Sequence, residues 1–249
     1  MTAYATASPE APRITAGPKI AALSCGKPVY LVVLLHAEGT CGQEVIDLAL
    51  NWAPELPKAD FLAAEAPFPG AAGARWFPGE GFSPDTISAG LTASAPLLDA
   101  FLDEMLAARR LPGDHLALVG FSQGAMLALD VGLRRAVPPA VIIAFGGALP
   151  KAHDVGAPRA QPPVVFIHGE DDTVVPLADM VATRDRLKAL GLPAKSMRRP
   201  GLGHGVDDDG IIAAGSVLTA SLVKPKPKMA GAHDDDHDDH HHDDHDHDH

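Results

Sequence analysis

Ser122 lies in Gly120-Phe121-Ser122-Gln123-Gly124, a Gly-x-Ser-x-Gly pattern. A serine hydroxyl attacks a carbonyl only when a neighbouring base removes its proton, and that base in turn needs a group to orient it. Outside residues 233–249 the chain has five histidines: His36, His115, His153, His168 and His204. His204 stands in Gly201-Leu202-Gly203-His204-Gly205, a glycine-lined loop that lets an imidazole project, and it is the expected base. His115 begins an apolar run, so it falls at the wrong end of a strand. His153 lies in a Pro/Gly/Ala-rich stretch without partners. For the acid, His168-Gly169-Glu170-Asp171-Asp172 offers three carboxylates in a row, and spacing alone does not choose among Glu170, Asp171 and Asp172. The chemistry such a set performs is two-step acyl transfer, with activity rising with pH as the base loses its proton.

These residues are useful only if elements bring them together. Residues 28–36 (PVYLVVLLH) are almost continuously apolar, as in a strand buried on both faces. Further strands are expected at 61–65, 115–121, 140–145 and 163–168, with an edge strand at 194–199. Helical patterns occupy 43–53, 85–109, 122–135, 177–190 and 207–223. Pro96 predicts a kink in the second of these, or a division into two helices. Gly191-Leu192-Pro193 stops the fourth, and aspartates open the last, where the helix dipole favours them. Strands alternating with helices predict a mostly parallel sheet covered on both faces, with ligands at the carboxyl ends of the strands. Ser122 then falls on a strand-turn-helix, HLALVGF into SQGAMLALDVGLRR, rather than serving merely as a helix N-cap. The Gln123 amide, first in its helix, is free to hold an oxyanion.

Several motifs in order resemble the phospholipase/carboxylesterase family of α/β hydrolases, which includes bacterial carboxylesterases and acyl-protein thioesterases. They are LLHAEGTCG after the first strand, ARWFP at 74–78, GFSQGA at 120–125, HGEDDTVVP at 168–176 and GLGH at 201–204. The resemblance covers roughly residues 28–223 and implies an α/β-hydrolase fold. It also implies Asp172 as the acid, since the family reads His-Gly, two variable residues, then Asp. By the same likeness the backbone N–H of Glu38 joins that of Gln123 as oxyanion donors, while Trp76, Phe77 and Val175 border the substrate. The family usually reads His-Gly after the first strand. This chain has His36-Ala37, and alanine disfavours a positive φ.

Composition narrows the partners. The net charge of −12 is mostly local: residues 233–249 carry 9 Asp and 8 His with no basic residue, so the body holds only −3. That balance argues against nucleic acid. No run approaches about 18 consecutive apolar residues, so no transmembrane span is expected. Cys25 and Cys41 do not make a disulfide framework and read as reduced, packed thiols of a cytoplasmic protein. The expected organisation is an N-terminal segment at 1–27, a hydrolase domain at 28–223, and a disordered linker and tail at 224–249. The expected activity is a serine carboxylesterase acting on short- to medium-chain acyl esters, needing no cofactor. Lysophospholipase and acyl-protein thioesterase are the alternatives within the fold. A dienelactone-type hydrolase would carry cysteine at position 122. A non-enzyme alternative is a protein that binds divalent metal through its His/Asp tail. A homodimer is a further option.

Overall fold

The computed structural model describes residues 11–156 and 161–223. In chain order the main elements are β1 (Thr15–Ile20), β2 (Tyr30–Leu35), α1 (Gly42–Ile46), β3 (Ala59–Glu65), β4 (Phe68–Pro69), β5 (Ala74–Arg75) and α2 (Pro84–Arg109). They continue with β6 (Leu116–Phe121), α3 (Gln123–Arg134), β7 (Val141–Phe145), β8 (Val164–Gly169), α4 (Leu177–Ala189), β9 (Ala194–Arg199) and α5 (Asp208–Leu222).

Seven strands form one sheet in the order β1-β3-β2-β6-β7-β8-β9, parallel throughout except for antiparallel β1 on β3. The continuous apolar runs have a direct reading here. Along β2, Leu31, Val33 and Leu35 enter one core while Val32 and Leu34 enter the other. Strands β6 and β7 divide in the same way, with Leu118 and Ile142 on the first side, Val119 and Ile143 on the second. Alternate side chains point to opposite faces, so a strand feeding two cores must be apolar at every position. The first core packs under α2, α3 and α4, and the second under α1 and α5.

Four features differ from the sequence expectations. Strand β1 lies within residues 1–27, where no strand was expected. Its exposed, polar-interrupted TAGPKI carries no strand signal, yet it pairs with β3 as the sheet's edge. The helix expected over 43–53 is a short α1 followed by a 3-10 turn at Asp47–Asn51. That tighter turn seats Trp52 in the second core, where its indole donates to Ile211 O at 2.9 Å. Helix α2 runs through Pro96 as one element and does not divide into two, with Ser83 capping its start and Leu91, Leu98 and Leu102 on its buried face. Cys25 and Cys41 are both free thiols, as expected, but exposed rather than packed.

The order reverses between β2 and β6: the chain steps from β2 outward to β3, then returns to place β6 on β2's other side. The crevice at the carboxyl ends of such neighbours is where open α/β sheets bind ligands. Among the described residues no helix is long and apolar enough to cross a membrane. The tail, and the metal and disorder expected of it, lie outside the described residues.

Candidate active site

Ser122 occupies the junction of β6 and α3 with φ 55° and ψ −120°. A non-glycine residue in this region stores about 1–3 kcal/mol of strain and must be held by its surroundings. Part of that hold is the bond from Ser122 N to Phe145 O on the neighbouring strand, at 3.0 Å. The turn is tight enough to exclude side chains on either flank. A Cβ on Gly120 would lie 2.5 Å from Ala125 Cα, and one on Gly124 only 2.3 Å from Leu35 O. Glycine at both positions is what lets α3 start against β2.

His204 Nε2 lies 2.9 Å from Ser122 Oγ, and its Nδ1 lies 2.8 Å from Asp172 Oδ2. The chain of contacts from hydroxyl to imidazole to carboxylate is therefore complete, although the three residues come from loops after β6, β8 and β9. Asp172 is held in turn by the amides of Val174 and Val175, which donate to its Oδ1 at 2.9 and 2.8 Å. Phe121 stacks on the His204 ring, with centroids 5.0 Å apart and planes at 29°. Nothing in the sequence marked Phe121 for this role beyond its place inside the serine motif. Glu170 and Asp171 follow β8 without meeting His204; Asp171 is fully on the surface side of the turn.

The loop after β2 is pinned at several points. His36 Nδ1–H donates to Ala37 O at 2.7 Å, and its Nε2 accepts from Ala66 N at 3.2 Å. Burial lowers the His36 pKa, against smaller opposing effects from its bond to Ala37 and from Glu65 and Glu44. Gly39 N donates to Ala74 O at 2.9 Å. The left-handed residue of this loop is Gly39, with φ +78°, and Ala37 keeps a negative φ, so the His-Ala spelling costs no strain. Neither the Glu38 nor the Gln123 amide donates to another protein group among the described residues. Gln123 also ties the loop down through its side chain, accepting from Trp76 N at 3.1 Å and donating to Glu38 Oε2 at 2.7 Å. Burial raises the Glu38 pKa, opposed by the positive charge of Arg75.

Trp76 and Phe77, expected beside the acyl group, are both wholly buried. Trp76 lies beneath the loop, its indole donating to His36 O at 2.7 Å, while Phe77 packs against α2 where Gly90 leaves room for its ring. An apolar aromatic segment next to a site reads the same whether it faces the ligand or supports the floor; burial separates the two. Val175, by contrast, lines an open cleft of about 790 Å³ together with Phe82, Ile87, Met126, Leu149 and Val174. The volume falls in the range of roughly 300–1,000 Å³ usual for small-molecule sites. Met126 N bonds Ser122 O and Val175 N bonds Asp172 Oδ1, so one end of the cleft adjoins the Ser-His-Asp chain. Phe82, Ile87 and Leu149 carried no sequence signal, because they converge from separate elements. No group of three or more His, Cys, Asp or Glu among the described residues is arranged to hold a metal ion.

The sheet order and the strand-turn-helix at Ser122 define an α/β-hydrolase fold. The chain belongs to the phospholipase/carboxylesterase family, whose model matches residues 22–221. It is similar to the crystal structure of esterase PE8, at 36% identity and a TM-score of 0.80, covering 84% of this chain and 100% of that one. Esterase YpfH of Escherichia coli is 27% identical over 183 residues, which are 72% of this chain and 77% of that protein. Acyl-protein thioesterase 1 of Neurospora crassa is 33% identical over 124 residues, covering 47% of this chain and about half of that protein, 51%. Family and neighbours together indicate a hydrolase of the esterase or thioesterase kind. They lend no support to the metal-binding alternative.

Proposed function

We propose that the protein is a serine carboxylesterase that hydrolyses short- to medium-chain acyl esters through an acyl-serine intermediate. The observation that carries this reading is the unbroken chain from Ser122 Oγ through His204 to Asp172, next to an apolar cleft lined by Met126 and Val175. In the first step Ser122 Oγ attacks the ester carbonyl while His204 Nε2 takes its proton. Asp172 stabilises the resulting imidazolium and holds its tautomer. The amides of Gln123 and Glu38 receive the developing oxyanion. His204 then protonates the departing alcohol, and water repeats the sequence on the acyl-enzyme.

A second reading, hydrolysis of acyl thioesters, is supported by the likeness to an acyl-protein thioesterase. A series of p-nitrophenyl esters from acetate to palmitate, run beside an acyl thioester, distinguishes them. The reaction itself is tested by Ser122→Ala. The variant should lose about 10⁴-fold or more in kcat, as removal of a triad nucleophile does, and should no longer be labelled by a fluorophosphonate. A loss below about tenfold would remove Ser122 as the nucleophile.

A further inference from the structure

His168 ends β8 with its side chain wholly buried, and the reaction outlined above does not use it. Its Nε2 lies 2.8 Å from Val175 O and 3.4 Å from Asp172 Oδ2. Both of those oxygens can only accept, so Nε2 must carry the proton. The other ring nitrogen, Nδ1, is buried with no partner. The ring is therefore set in one orientation, with its Nε2–H donating to Val175 O.

We propose that His168 is a positioning residue for Asp172, a second imidazole on the carboxylate that already holds His204. This rests on Asp172 being the acid of the reaction. The carboxylate accepts from the Val174 and Val175 amides on Oδ1 and from His204 Nδ1 on Oδ2, and His168 Nε2 packs 3.4 Å from that same Oδ2. His168 acts on it in two ways. Its short bond to Val175 O, together with the Val175 amide bond to Oδ1, closes the 172–175 turn into a ring that fixes the carboxylate's direction. Its Nε2 also packs against Oδ2, the oxygen that faces His204, at 3.4 Å, and blocks rotation of the carboxylate on that side.

The charged surroundings of His168 are sparse. No titratable residue comes from β7. Its register partner on β9 is the exposed Arg198. The first turn of α4 brings Asp179, and its own loop carries Glu170, Asp171 and Asp172. All of these stay in place when His168 alone is replaced, so differences between variants report on the imidazole.

His168→Phe removes the bond to Val175 O that closes the turn. Its kcat should fall about tenfold with KM within about twofold, because the loss is in orienting the reacting groups. His168→Gln places an amide N–H close to the position of Nε2 and should recover most of the loss. Purely structural damage would lower both variants together, and that result overturns the proposal.

A second measurement needs no variant. In histidine-¹⁵N-labelled wild-type protein, His168 should carry its proton on Nε2. An Nδ1–H tautomer would also overturn the proposal while leaving the Ser122 reading intact. Full activity in Asp172→Asn would instead overturn the reading of the acid itself.

Discussion

The side chains of Glu38 and Gln123 are bonded to each other, with Gln123 Nε2 donating to Glu38 Oε2 at 2.7 Å. The same two residues supply the backbone amides proposed to hold the oxyanion. One donor belongs to the loop after β2 and the other to the start of α3, so nothing along the chain fixes the distance between them. The side-chain bond does, and Gln123 adds a second tie by accepting from Trp76 N. Glu38→Ala should lower kcat by about tenfold with little change in KM, less than the cost of deleting an oxyanion donor outright. Glu38→Gln keeps an acceptor for Gln123 and should stay within about threefold of wild type. Steady-state kinetics on p-nitrophenyl acetate decide it, and equal losses in both variants would count against the tie.

The choice of acid is open to a direct comparison of neighbours. Asp172→Asn removes the charge facing His204 and disturbs its tautomer, and should cost about 10³–10⁴-fold in kcat. Asp171→Asn, one residue away on the exposed side of the turn, should stay within about threefold. The reverse ranking would move the acid by one position.

Close approach of α3 to β2 makes a stability prediction. In Gly124→Ala the added methyl would sit 2.3 Å from Leu35 O and 2.5 Å from His36 O, backbone atoms at the end of β2 and the start of the loop after it. Thermal or urea unfolding should show a loss of about 2–3 kcal/mol, the upper part of the usual overpacking range. Gly205→Ala is the control: its methyl would meet only Leu202 Cδ1, at 3.8 Å, and its unfolding midpoint should barely move.

Burial of His36 gives a pH dependence with a definite sign. Its pKa is lowered in the folded protein, with desolvation the leading cause. Above the unfolded-state value of about 6.5 the ring is neutral in both states and contributes no slope. Below it the unfolded chain takes up a proton that the folded protein resists, so stability falls as the pH drops toward the lowered folded value. His36→Asn removes this titration, and its unfolding midpoint should decline less steeply than that of wild type below about pH 6.5. Parallel curves would assign the acid sensitivity to other groups.

The cleft can be narrowed without touching the reacting residues. Ala182 lines it from α4 and is exposed. Ala182→Trp should reduce kcat/KM on octanoyl esters by about tenfold, roughly the loss of a favourable apolar contact of 1.4 kcal/mol, and leave acetyl esters nearly unchanged. A uniform loss across chain lengths would place the acyl chain elsewhere.

Much of the architecture was legible because it depends on local composition. The doubly apolar runs at β2, β6 and β7 announce strands buried on both faces, and Gly191-Leu192-Pro193 announces the end of α4. Strand β1 was not legible, since an exposed edge strand needs no alternation and is made by pairing with β3 alone. Ser122 and His204 stood out by residue type and glycine-rich context, whereas Asp172 was separated from Glu170 and Asp171 only by family likeness.

By itself the sequence determined a hydrolase of the esterase or thioesterase kind, the alternation of strands and helices, and the order along the chain of the residues proposed as nucleophile, acid and base. Each is written in residues that are adjacent or regularly spaced. Tertiary structure alone decided that His204 reaches both Ser122 and Asp172, that Trp76 and Phe77 support the site from below, and that His168 lies behind the acid. Those relationships join residues far apart in the chain, through distances of about 3 Å that depend on how the sheet and helices pack.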